Sequence, residues 1–126
     1  MPARFRRIEQ FNAEHARQLA DIIDYMESRK FVHGDINPKN ILCDGKQVVL
    51  IDFEPSLIQL IGCVRVQKYT VPYIHPIDFL KKSLSGLSDR MCFAYWACGL
   101  DLKSAAEISS MGNNCRKILT FVENRA

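Results

Sequence analysis

No stretch of this sequence reaches the roughly 18 consecutive apolar residues that a membrane-spanning helix needs. There is no internal repeat and no low-complexity segment. No two of the five cysteines, Cys43, Cys63, Cys92, Cys98 and Cys115, stand in a CxxC spacing, which argues against a zinc site. Their number is odd, their spacing irregular, and no secretory signal opens the chain. A disulfide framework is therefore not expected, and the cysteines read as small buried hydrophobes of a reduced, intracellular chain, cytoplasmic or nuclear. Charge of one sign is scarce as well. Lys and Arg number 17 against 14 Asp and Glu, a net charge of +3, too little to imply nucleic acid as a partner. No membrane partner is expected either. Three arginines, Arg4, Arg6 and Arg7, cluster in a segment, residues 1–12, that reads as a solvated N-terminal arm.

What is present is the composition of a globular domain. The 126 residues are 48% hydrophobic, enough for one domain with a real core over residues 1–126. Residues 13–30 predict a helix. Asn12 suits its N-cap and Glu14 its first turn, and Arg29 and Lys30 suit its C-terminal end. Leu19, Ile22, Ile23 and Met26 recur at i, i+3, i+4 and i+7, one apolar stripe. "FVHGDINPKN" then breaks the helix through Gly34 and Pro38. "ILC" and "QVVLIDF" predict two short strands around the hairpin signal Asp44-Gly45, and the second strand ends at Asp52. "SLIQLIGCV" fits strand or helix equally. "TVPYIHPID" reads as an ordered loop. Residues 88–100 predict a helix capped by Ser88, with Asp89 in its first turn, apolar nearly all round and so central to the core. Residues 103–123 predict one or two further helices, with a break near Gly112-Asn113-Asn114.

The chemistry concentrates in "HGDINPKN", residues 33–40. Taken alone, Asp35 and Asn40 describe a loop whose Asx side chains cap its own backbone. Asp52, brought back by the second strand, changes that reading. Phosphoryl transfer needs a carboxylate to orient a hydroxyl and accept its proton, and oxygen ligands for the magnesium that bridges the phosphates. Asp35 suits the first role. Asn40 and Asp52 suit the second, and Lys39 adds positive charge beside the transferring group.

This arrangement resembles the catalytic lobe of the protein kinases. "HGDINPKN" is similar to their HRDxxxxN loop, and "LIDFE" to the DFG strand that binds magnesium. "YTVPYIHPI" looks like the end of an activation loop, with His75-Pro76-Ile77 where kinases have Ala-Pro-Glu. "SDRMCFAYWACGL" resembles the buried helix beyond it, whose aspartate, here Asp89, ties down the catalytic loop. The resemblance runs from about residue 13 to 100. It implies a mainly α fold with a small β-hairpin, a kinase-like C-lobe, with ATP and Mg2+ as ligands. His33 would bond backbone near the Asp52 segment, while His15 and His75 read as surface or packing residues. Departures are explicit. Gly34 replaces the arginine, Asn37 the lysine of serine/threonine kinases, Glu54 the glycine of DFG and Ile77 the glutamate, with Asp78 adjacent. Nothing resembling a Gly-rich loop or a V-A-I-K strand precedes the first helix.

Three functions are consistent with these residues. The first is a divergent kinase-like phosphotransferase acting on a protein hydroxyl. The second is an inactive truncated kinase, a pseudokinase, that binds a partner kinase or another protein. The third follows from a further resemblance: "HGD…N" followed by "IDFE" is also similar to the aminoglycoside and choline phosphotransferases, which act on small molecules.

Overall fold

The computed structural model describes residues 4–51, 74–81 and 84–125. Helix α1 spans Ala13–Ser28. Its N-terminus is a capping box: Asn12 Oδ1 accepts from His15 N at 2.7 Å, and His15 Nδ1 accepts from Asn12 N at 3.3 Å. His15 therefore fills the position usually held by Glu or Gln. Leu19, Ile23 and Met26 are buried and Ile22 half-buried, as their spacing predicts. The helix stops earlier than its sequence suggests. Arg29 is the C-cap, and Lys30 turns the chain with φ 58°, a left-handed conformation that glycine usually supplies.

The sheet has three strands, β1 (Arg6–Arg7), β2 (Ile41–Cys43) and β3 (Val48–Leu50), antiparallel in the order β1-β2-β3. The hairpin turns where Asp44-Gly45 predicts. Asp44 Oδ1 accepts from Lys46 N and Gln47 N at 3.0 and 2.8 Å, and Gly45 takes φ 102°. Those two N–H bonds, the one from Gln47 foremost, hold the Asp44 carboxyl below its ordinary range. β1 is a departure from the expected solvated arm. Arg6 and Arg7 have exposed side chains, but their backbone pairs with Cys43 and Leu42, and Ile8 beside them is buried. One apolar residue in the basic run anchors it to the core.

The C-terminal half is helical: α2 (Pro76–Lys81), α3 (Gly86–Trp96), α4 (Leu102–Ser109) and α5 (Cys115–Arg125). α2 replaces part of the expected loop, because Pro76 at a first helical position needs no N–H partner. α3 begins two residues before the predicted start, capped by Ser85 rather than Ser88. Ser88 is instead buried against α2, its hydroxyl donating to Asp78 at 2.7 Å. The break near residues 112–114 is where α4 and α5 part. α3 packs against α1, α4 and α5, and Met91, Phe93 and Ala94 are almost wholly buried. A helix surrounded in this way has no polar face, as its sequence suggests. Residues 52–73, with "SLIQLIGCV" and the first four residues of "TVPYIHPID", lie outside the described residues.

Candidate functional site

The polar loop between α1 and β2 is held from three directions. From below, α3 presents Asp89. Its Oδ2 accepts from His33 N at 2.9 Å and its Oδ1 from Gly34 N at 3.0 Å. Asp89 is fully buried, and that burial pushes its carboxyl up to about 7 against the pull of the two N–H bonds and with some help from Glu27 and Asp78. This is the tie that the resemblance implies. From the side, His33 joins the loop to the end of the sheet. Its Nδ1 lies 3.0 Å from Asp35 N and must accept there; Nε2 therefore carries the proton and donates to Ile51 O at 2.8 Å. The expected structural role of His33 is realised one residue from Asp52. Third, the loop folds back on itself. Asn37 caps a 3₁₀ turn, Pro38–Asn40, by accepting from Lys39 N at 2.9 Å.

Gly34 has φ 88°. The position that departs from the kinase arginine is thus one where the backbone enters the left-handed region, which glycine tolerates without strain.

These ties bring Asp35 and Asn40 together. Asn40 Nδ2 donates to Asp35 O at 2.7 Å and lies 3.4 Å from Asp35 Oδ2. Asn37 Nδ2 donates to Asp35 Oδ1 at 2.8 Å. Asn37 is the residue that sequence reasoning missed. It had registered only as a lost lysine, although an Asn two after an Asp is a recognisable turn former. Asp35 is half-buried, Asn40 is buried and Lys39 exposed. Asp52 lies outside the described residues; Ile51, its neighbour, donates its N–H to Asn40 O at 2.9 Å, so the described segment 4–51 ends beside Asn40.

The donor set suits a hard cation such as Mg2+ in kind. With Nδ2 engaged by Asp35, Asn40 retains an amide oxygen, and Asp52 would add a carboxylate. Among the described residues no group of three or more His, Cys, Asp or Glu side chains is placed to hold a metal. No described helix is long and apolar enough to cross a membrane.

His75 and Asp78 organise the far end of the helical layer. His75 is buried; its Nδ1 accepts from Ile77 N at 3.1 Å and its Nε2 donates to Ala106 O at 3.0 Å. Of the two expected roles, packing holds and surface exposure does not. Asp78 Oδ1 and Oδ2 accept from Ser85 and Ser88, which fastens α2 to the start of α3. Glu27 pairs with Arg90. The buried thiols Cys92 and Cys115 are raised by burial, which suits packing and not nucleophilic use.

Comparison with known proteins finds similarity to phosphotransferases and protein kinases. Residues 2–63 match the family model of the phosphotransferase enzyme family (APH). Mitogen-activated protein kinase kinase 9 of Arabidopsis thaliana is 34% identical over 95 residues, 73% of this chain and 31% of the relative. Serine/threonine-protein kinase SBK1 of Mus musculus is 38% identical over 65 residues, 48% of the chain and 15% of the relative. Serine/threonine-protein kinase PKH2 of Saccharomyces cerevisiae is 48% identical over 40 residues, 31% of the chain and 4% of the relative. The chain thus spans less than a third of the length of the curated relatives it matches.

Proposed function

We propose that this chain, which is kinase-like over the region that holds the loop, transfers the terminal phosphoryl group of ATP to a hydroxyl of a protein substrate. The observation that carries the reading is the pairing of Asp35 with Asn40 on a loop anchored by Asp89 and His33. Asp35 accepts the hydroxyl proton as the acceptor oxygen bonds to the γ-phosphorus and the bond to the departing ADP breaks. Asn37 restricts the carboxylate to one orientation, which favours attack from a fixed direction. Asn40 and Asp52 would hold Mg2+, which would supply positive charge to offset that of the phosphates. Lys39, exposed in the 3₁₀ turn, offsets charge that develops on the transferring group.

Asp35→Asn is expected to lower the transfer rate by about 10²- to 10⁴-fold, the usual contribution of a positioned general base, while leaving ATP affinity and the thermal midpoint near those of the parent. Asp52→Ala is expected to abolish the magnesium dependence of ATP binding. Radiolabel transfer and calorimetry measure these effects. Transfer that survives Asp35→Asn, or ATP binding indifferent to Asp52→Ala, would remove the assignment.

The match to the phosphotransferase enzyme family over residues 2–63 favours a second reading, with a small-molecule hydroxyl as acceptor. Parallel assays with a generic protein substrate, an aminoglycoside and choline separate the two.

A further inference from the structure

β1 carries two cations with no described partner. The Arg6 and Arg7 side chains are exposed, and neither makes an ion pair or hydrogen bond with a described residue, unlike Arg4, which lies 3.8 Å from Asp44. Being in a strand gives each of them a definite direction.

The ladder settles which direction. In an antiparallel pair, hydrogen-bonded and non-hydrogen-bonded positions alternate, and so do the faces their side chains take. Asp44 N bonds Gln47 O and Ile51 N bonds Asn40 O, so the Leu42 and Val49 pair between them belongs to the same set. Ile51, Leu42 and Val49 therefore share one face, and the 3₁₀ turn that ends at the buried Asn40 leads directly into β2. Burial agrees: Ile41, Val48 and Leu50 on the other face are buried in the core, whereas Leu42 and Val49 are half-buried and Ile51 is 39% exposed. β1 extends that pattern. Arg7 stands opposite Leu42 and Arg6 opposite Cys43. Arg7 is thus on the face of Leu42 and Val49, and β1 lies against the 3₁₀ turn that ends at Asn40, while Arg6 has the parity of the core face, with Ile8.

Neighbouring strands lie about 4.8 Å apart and two residues advance a strand by about 7 Å, a separation from Asn40 that a long arginine side chain can cover. The face then has an apolar floor (Leu42, Val49), the loop of Asp35 and Asn40 adjoining one end of it and an unpaired guanidinium at its side (Arg7). An apolar surface beside a planar, forked cation fits a ligand with a flat apolar part and a phosphate. Glu9, two residues further along, shares the parity of Arg7, is exposed and makes no ion pair with it, so the cation is not neutralised from its own strand.

We infer that Arg7 binds a phosphate of the nucleotide that lies over Leu42 and Val49. This rests on the proposed nucleotide site but assigns a residue that the transfer chemistry does not require. The test uses the full chain with ADP, adenosine and inorganic phosphate as calorimetric probes at low salt. Arg7→Gln is expected to weaken ADP binding about tenfold, the scale of one charge-assisted hydrogen bond, to leave adenosine binding unchanged, and to be partly rescued by Arg7→Lys. Arg6→Gln, of the opposite parity, is expected to change ADP binding less than about twofold, as exposed charges acting at a distance do.

Equal losses for Arg6→Gln and Arg7→Gln would show diffuse charge attraction and overturn the assignment. So would an Arg7→Gln effect on inorganic phosphate as large as on ADP but without any adenosine binding, which would mean an anion site independent of the apolar floor. Absence of ADP binding at millimolar concentration would also overturn it. If ADP binds in an Arg7-dependent way and no acceptor is ever phosphorylated, the transferase reading fails and this assignment stands.

Discussion

Asp89 shows how one residue can hold two opposed demands. Two backbone N–H groups want a carboxylate, and complete burial wants a neutral carboxyl; burial prevails and pushes the group up to about 7. The unfolded chain has its ordinary value of 3.8. Between those values the folded chain holds a proton that the unfolded chain has lost, so stability falls as pH rises across that window. The contribution is complete below 3.8 and gone above about 7. Urea midpoints measured across that range should fall with pH in the parent and show a flatter slope in Asp89→Asn. That variant should also cost about 1–3 kcal/mol, because an amide cannot accept from both His33 N and Gly34 N and leaves one buried donor unpaired. A parent slope that rises with pH would contradict the shifted carboxyl. The role of Asp89 was legible from its place at the head of an all-apolar helix in a kinase-like order. Its titration was not, because burial is a property of the packed chain.

At the scale of elements, one side chain of α1 adds hydrogen bonds to the apolar packing that holds the hairpin. Gln18 Nε2 donates to Lys46 O at 2.7 Å, and its Oε1 accepts from Val48 N at 2.8 Å. The amide acts as a short length of strand along the edge of β3. Gln18→Ala is expected to destabilise the chain by about 1–2 kcal/mol, two hydrogen bonds to neutral groups, and to speed amide exchange at Val48 more than at Val49. Uniform exchange along the strand would rule out the clamp. The hairpin itself was readable from Asp44-Gly45 and the flanking β-branched residues. Gln18 was not, since it sits on the polar side of the α1 stripe and has nothing in its neighbourhood to mark it. β1 escaped for a related reason: in a two-residue strand the charges outweigh the single buried Ile8 in any reading of composition.

At the scale of the whole molecule, the two ends of the described chain are joined through α1. Asp24 accepts from Cys115 N at 2.7 Å and Arg116 N at 3.0 Å, so a side chain from the first helix caps the last. Arg116 also meets Asp21, an exposed pair of small consequence. Asp24→Ala should lower stability by about 1–2 kcal/mol, as loss of an N-cap does, and the loss should appear chiefly as fraying of α5. A thermal midpoint equal to that of the parent would show that Asn114, which accepts from Lys117 N at 2.9 Å, caps α5 unaided.

The sequence by itself determined the elements whose signals are local. The period of Leu19, Ile23 and Met26, the turn chemistry of Asp44-Gly45, the unbroken apolar run of α3 and the order of Asp35, Asn40 and Asp52 all depend on residues a few positions apart. The tertiary structure decided the rest. Which serine caps α3, what holds Asp35 in orientation, which arginine shares a face with Leu42 and how strongly Asp89 resists ionisation depend on groups many residues distant. They depend also on burial and ladder parity, which exist only once the chain has packed.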